Sequence, residues 1–270
     1  MTRFLVVPQW QGSPAPRAML LTDGAAAIAG DLPRDRTTVL EVPLEAGDAE
    51  GTGVHRLSSL RRTGELIEEA VTAHAEPTLV VGGDCGVSVA AVSALPGGLD
   101  DVAIVWFDAH PDLHTPESST SGAYAGMALR ALLGHSSFPL QGPDGLAPER
   151  IVLVGARAED DAESAFLDSS GIVRVDGLDR AEALVDAVIA TGATRVYIHV
   201  DVDVLDPSEI AGVSSAVPFG LRTAEVVQAV KALRERLPVA GATIAGFAPR
   251  SPGDAVEDLG AILRLIGALA

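Results

Sequence analysis

Eight apolar runs of strand length recur along this 270-residue chain, and several are separated by stretches with helical spacing. In order they are "RFLVV", "TTVLEV", "PTLVVGG", "DVAIVWFD", "RIVLVG", "IVRV", "TRVYIHVDVDVL" and "VAGATIAGF". The helical stretches, with apolar residues three and four apart, are "LSSLRRTGELIEEAVTAH", "SGAYAGMALRALLG", "AEALVDAVIATG", "TAEVVQAVKALRERL" and "AVEDLGAILRLIGAL". Parallel neighbours need a crossover, and these helices supply it. The runs are nearly continuous in Val, Ile and Leu, as expected of a sheet covered on both faces. The pattern predicts a three-layer α/β/α fold with a mostly parallel central sheet, residues 1–270 forming a single domain. "GHSSFPLQGPDGLAPER", from Gly134 to Arg150, reads as a long loop and not a boundary.

Charge narrows the function classes. With 37 acidic and 19 basic residues the formal net charge is −18, so nucleic acid and anionic membrane surfaces would be repelled. A small-molecule substrate, cationic or zwitterionic, and divalent metals stay open as partners. The opening "MTRFLVVPQW" lacks the apolar length and basic flank of a signal peptide, and no stretch of about 18 apolar residues runs without charge. A cytoplasmic protein is expected. Cys85 is the only cysteine, which rules out an intrachain disulfide and suits a reducing compartment.

In open parallel sheets ligands bind beyond the carboxyl ends of the strands. The polar residues there are Asp84 and Cys85, then Asp108, His110, Asp112 and His114, then Asp201, Asp203 and Asp206. In an extended segment alternate side chains share a face, so Asp108, His110 and Asp112 are expected to converge, as are His199, Asp201 and Asp203. Such a cluster, if buried, needs a compensating cation. Two carboxylate-rich arms carry more negative charge than one divalent ion neutralises, which implies two ions. Carboxylates with imidazole favour manganese, iron or zinc over calcium, and a closely spaced pair is a known device for activating water.

Three of these segments, "GGDCGVS", "FDAHPDLHT" and "VDVDVLDP", lie in that order between Gly82 and Pro207. They resemble the metal-binding signatures of the ureohydrolase family, which includes arginase, agmatinase and formimidoylglutamase and whose usual forms are G-G-D-H-S, D-A-H-x-D and D-x-D-x-x-D-P. The resemblance implies an arginase-like α/β/α domain. It also implies a binuclear manganese centre whose bridging hydroxide attacks a guanidinium or amidine carbon, releasing urea or a related amide. Carried over by motif, Asp108 and Asp201 would bridge the two ions, Cys85 and Asp112 would complete one ligand set, and His110 and Asp203 the other. Asp206 would orient the loop or a ligand without touching the metal. His199 is open between that role and a satisfied core histidine.

The chain departs from the family pattern at positions that bear on chemistry. Cys85 stands where histidine is usual. A thiolate is softer and charged, so with four carboxylates and two divalent ions the site keeps one negative charge in excess, and iron or zinc comes into range beside manganese. Ala125, aligned on "SGAYAG", holds the place of a proton-shuttling histidine in S-G-N-x-H-G. Proton transfer then falls to His114, with Asp112 as the second catalytic candidate and Tyr124 nearby. Ser121 and His114 are expected at the substrate, as is Asp160 of "GARAEDD", which aligns with an acid that contacts a substrate amino group. Gly246 of "GFAP" replaces a guanidinium-binding glutamate.

Two other readings compete. One is a non-catalytic arginase-fold module that binds metal, suggested by the missing shuttle and the missing glutamate. The other is a Cys85-dependent thiol hydrolase, because Cys85 on a strand-to-helix turn between Gly83 and Gly86 resembles a nucleophile elbow. Val87 stands where the elbow's closing glycine belongs. His55, His74 and His135 read as surface residues, and Trp10 and Trp106 as packing. Arg157 and Arg250 are open between a surface or ion-pair role and a substrate carboxylate. The resemblance leaves a homo-oligomer open.

Overall fold

The computed structural model describes residues 2–134, 139–140, 142, 146–178 and 180–270. Its centre is one sheet of eight strands: β1 (Arg3–Val7), β2 (Thr37–Val39), β3 (Thr78–Gly82), β4 (Val102–Phe107), β5 (Ile151–Val154), β6 (Val173–Val175), β7 (Arg195–Asp201) and β8 (Val239–Ala245). Their order is β2-β1-β3-β8-β7-β4-β5-β6, and every pairing is parallel. Alternate residues face opposite layers, so Phe4 and Val6 join one core cluster while Leu5 and Val7 join the other. Helices α1 (Leu20–Gly30), α6 (Ala181–Ala190), α7 (Thr223–Arg234) and α8 (Pro252–Leu269) contribute to the first cluster. Helices α2 (Leu57–Thr72), α3 (Val87–Ser93), α4 (Ala128–Leu132) and α5 (Asp161–Ser170) contribute to the second. The expected three layers are present.

The differences from the sequence reading have local causes. Helices α1, α3 and α5 carry no clear 3.6-residue stripe: α3 is buried on nearly every side, α1 is rich in Ala and Gly, and α5 is rich in Asp and Ser. "TTVLEV" yields only Thr37–Val39, an edge strand bonded to β1 alone. "TRVYIHVDVDVL" does not stay extended, because Asp201 Oδ1 accepts the Asp203 N–H at 2.9 Å and opens a 3₁₀ turn over Val202–Val204. Asp203 therefore does not share the strand face of His199 and Asp201. The chain likewise leaves β4 at Phe107, and Asp112 adopts a left-handed backbone with φ 54°. Part of the Gly134–Arg150 loop reading, and His135 with it, lies outside the described residues.

The connectivity fixes the site. From β3 the chain crosses to β4, and the gap is later filled by β7 and β8, so the carboxyl ends of β3, β8, β7 and β4 stand side by side. The loop after β1 packs onto the loop after β3: Asp84 N donates to Gln9 O (3.1 Å) and Gly83 N to Val7 O (3.0 Å). A Cβ at Gly83 would lie 1.8 Å from the Gln9 carbonyl oxygen. Only glycine permits that approach. Gly83→Ala should therefore cost about 1–3 kcal/mol, as overpacking against backbone does; a denaturant midpoint equal to that of the parent chain would contradict this account of the loop.

Candidate metal centre

A cavity of about 310 Å³ opens over these strand ends. Cys85 reaches it from beyond β3, Asp108, His110 and Asp112 from beyond β4, Asp201 and Asp203 from beyond β7, all but His110 buried. Asp108 is the hub. Its Oδ1 accepts the His110 backbone N–H (2.7 Å) and its Oδ2 the Trp106 indole N–H (3.3 Å). Asp203 ties the loops together, with Oδ1 accepting the Ala109 N–H at 3.1 Å and Oδ2 lying 3.0 Å from His110 Nδ1. The Cys85 thiol donates to Asp201 Oδ2 across 2.8 Å and lies 3.8 Å from Asp108 Oδ2.

Two donor groups share Asp108: Cys85, Asp108 and His199, and Asp108, His110 and Asp203, each with its ligand atoms within 4.8 Å of one another. Electrostatics show what the cluster lacks. Burial pushes Asp201 up to about 7 and Asp203 up to about 6, with Asp203 adding to the first shift and Asp108 to the second. Asp108 and Asp112 move up for the same reasons, burial first and neighbouring acids after it. Burial opposes a charged His110, yet hydrogen bonds to Asp108 and Asp203 outweigh it and hold the imidazole protonated up to about 12. One imidazolium is poor compensation for four carboxylates. Two buried polar atoms at the site, Asp112 Oδ2 and His199 Nε2, have no hydrogen-bond partner among the described residues, and each such atom costs about 1–3 kcal/mol. Divalent cations fit this donor set.

Cys85 does not have the surroundings of an activated thiolate. Burial, then the charges of Asp201, Asp112 and Asp108, push its thiol well above the ordinary range, whereas nucleophilic cysteines sit in electropositive settings. His199 is fully buried on β7, stacked on Trp106 with ring centroids 3.6 Å apart, and its Nδ1 lies 2.8 Å from Ser88 Oγ. Trp106, expected only to pack, thus also holds Asp108. Asp84 turns away from the cluster: it accepts Gln9 Nε2 (2.9 Å), Gly12 N (2.9 Å) and Gly86 N (3.0 Å), holding the loops after β1 and β3 together.

His114 lines the cavity, with Nδ1 3.1 Å from Ser118 Oγ and Nε2 3.4 Å from Asp160 and 3.7 Å from Glu163. Glu163 is a buried wall residue that the sequence reading missed. Its position three residues after Asp160 signals a capping box, and both halves of that box are present at the start of α5. Asp160 Oδ1 is committed to the cap, leaving Oδ2 towards His114. Ser121 is exposed and outside the cavity lining, its Oγ accepting the Ala123 N–H. Asp206 pins its loop through Ser208 and Gly220. Arg157 donates to the carbonyls of Gly155, Asp203, Val204, Val217 and Pro218, so it braces the loops after β5 and β7; Arg250 is exposed. Gly246 lines the cavity at φ 85°, and a Cβ there would lie 2.1 Å from Asp201 Oδ1. No helix among the described residues is long and apolar enough to cross a membrane.

Residues 17–261 match the model of the Arginase family. An N(omega)-hydroxy-L-arginine amidinohydrolase of Streptomyces lavendulae is 32% identical over 238 residues, 84% of this chain and 83% of that protein. An arginase of Staphylococcus aureus (strain MRSA252) is 30% identical over 210 residues, 73% of this chain and 70% of that one. In fold, the chain superposes on the crystal structure of Entamoeba histolytica arginase in complex with L-ornithine with a TM-score of 0.80, at 20% identity and covering 98% of each chain.

The pKa directions set a pH test. Asp201, near 7 in the metal-free fold, keeps a proton that an unfolded chain has released, so its contribution is complete below the ordinary carboxylate range and is lost as pH rises through about 7. His110, raised to about 12, pulls the same way above its ordinary value. His199, lowered to about 3 by burial, works oppositely, but only below the ordinary histidine value of about 6.5. Cations take the place of those protons. Between about pH 6.5 and 8 the melting temperature of chelator-treated protein should therefore fall faster than that of metal-supplied protein. A gap that stays constant or narrows across that window would contradict the assignment.

Proposed function

Because the chain belongs to the arginase family, we propose that it is a metal-dependent hydrolase that cleaves a C–N bond in a linear guanidine or amidine. The observation that carries this reading is the pair of donor groups meeting at Asp108 on the floor of the cavity. Cys85 and Asp112 would complete the contacts to one ion and His110 and Asp203 those to the other, with Asp108 and Asp201 between them. Manganese suits the oxygen-rich side. Bound there, divalent ions would supply Lewis acidity and make a water molecule acidic enough to act as nucleophile near neutral pH.

The remaining steps belong to side chains of this protein. His114 is held through Nδ1 by Ser118 and faces Asp160 and Glu163 through Nε2, which supports a role in which it would hand a proton to the departing nitrogen, a task Ala125 cannot perform. Glu163 on the cavity wall, with Asp160 outside the lining beside His114, gives that side an acidic character suited to the cationic end of a zwitterionic substrate. No carboxylate stands at position 246, and the closeness of Gly246 to Asp201 leaves no room to add one without moving a proposed ligand. A headgroup less basic than an ordinary guanidinium suits such a site, and an electron-withdrawing N-hydroxyl provides it. The Streptomyces relative is named for N(omega)-hydroxy-L-arginine.

A second reading, a metal-binding module without turnover, is favoured by the same two positions, Ala125 and Gly246. The discriminating assay loads the full chain with manganese and follows urea, hydroxyurea, amide or ammonia release from arginine, N-hydroxyarginine, agmatine and formimidoylglutamate. At least one should turn over, with kcat reduced about 10²-fold or more in His114→Gln and activity lost with both ions in Asp201→Ala. Bound metal with no turnover of any of them would select the second reading. Cys85→His should raise manganese affinity on its side of the centre, read by metal content after dialysis; an unchanged content would remove Cys85 from the ligand set.

A further inference from the structure

Resting on the metal centre proposed above, we infer that His199 is itself a metal ligand, its Nε2 joining Cys85 Sγ and an Asp108 oxygen on the β3 side. A ring nitrogen of His199, Cys85 Sγ and an Asp108 oxygen lie within 4.8 Å of one another, and Nε2 is the ring nitrogen with no hydrogen-bond partner among the described residues, Nδ1 being taken by Ser88 Oγ. A buried imidazole nitrogen left bare beside a sulfur and a carboxylate oxygen is the arrangement a cation completes.

The ring is fixed on every side but that one. Trp106, its register partner across β4 and β7, stacks on it with planes 18° apart and also donates to Asp108 Oδ2. Nδ1 meets Ser88 Oγ in the first turn of α3, three residues after Cys85. With Nδ1–H donated to Ser88 Oγ, Nε2 keeps a free lone pair. A hydrogen-bonded Nδ1–H is the usual way a protein fixes a histidine that ligates through Nε2. When a cation arrives, the Cys85 thiol proton leaves to solvent and the sulfur takes its place in the set.

The consequence is an asymmetric centre. Cys85, His199 and Asp108 form a mixed sulfur, nitrogen and oxygen set of the kind that zinc, cobalt and ferrous iron occupy, whereas Asp108, His110 and Asp203 form a harder one. The β3 side should select zinc over manganese.

Histidine-selective ¹⁵N spectra of the full chain, metal-free and then supplied with zinc, test this. Two imidazoles should shift on zinc addition. One of them should be protected from solvent exchange and protonated at Nδ1, and it should persist in His110→Gln. With cobalt, a thiolate charge-transfer band that Cys85→Ser abolishes should accompany it, and His199→Gln should weaken zinc binding on that side at least tenfold. Should His199→Gln fail to fold, the spectra of the parent chain and His110→Gln decide alone. Zinc bound with the cobalt band present, while the buried imidazole stays unmoved, overturns the inference and leaves the centre intact. A chain that takes up neither zinc, cobalt nor manganese overturns both.

Discussion

Four carboxylates, Asp108, Asp112, Asp201 and Asp203, are buried within one cavity at the end of a parallel sheet with a single imidazolium, His110, set among them. That imbalance is the constraint on which the rest of the structure turns. Isolated charges in such a place cost several kcal/mol each after relaxation, and backbone amides offset part of it: His110 N serves Asp108, Ala109 N serves Asp203 and Asp203 N serves Asp201. What amides cannot supply is net positive charge. The upward pKa directions of the acids and the unpartnered Asp112 Oδ2 both express that deficit.

The architecture supports the cluster from beneath and behind. Central strands buried on both faces bring their carboxyl ends to one edge, and the order β3-β8-β7-β4 sets three ligand-bearing loops around one cavity. Side chains outside the proposed ligand set carry much of the positioning. Arg157 gathers carbonyls from the loops after β5 and β7, and Asp84 binds the loop after β1 to the loop after β3. Trp106 links two roles, flooring His199 and holding Asp108. Two departures from the family pattern, Cys85 and Gly246, adjoin the same acid, Asp201. The Cys85 thiol donates to Asp201 Oδ2, and Gly246 sits against Asp201 where a larger residue would displace it.

Much was legible in the chain alone because strong periodic signals survive folding. Val- and Ile-rich runs bounded by turns marked all eight strands, the run for β2 too long by three residues and that for β7 continuing four residues past its end. Three ordered motifs marked the acids. Helices α1, α3 and α5 escaped notice because uniform burial or small polar residues erase the stripe on which such reading depends. Glu163 escaped because a glutamate three residues after an N-capping aspartate already has a local explanation.

Sequence by itself determined the alternation of strands and helices, the parallel sheet and the residue types gathered at the strand ends, since these follow from side-chain periodicity and from where polar residues interrupt apolar runs. It also named the residues that converge, but for a mistaken reason: an extended chain would align Asp201 with Asp203 and Asp108 with Asp112. Only the tertiary structure decided that Asp201 folds its own carboxylate back to cap a 3₁₀ turn, that Asp112 turns through a left-handed backbone, and that His199 meets Cys85 across 114 residues of chain. The Asp201 cap is a side-chain bond to a backbone N–H two residues on that competes with extension, and the meeting of His199 with Cys85 depends on contacts between segments remote in sequence.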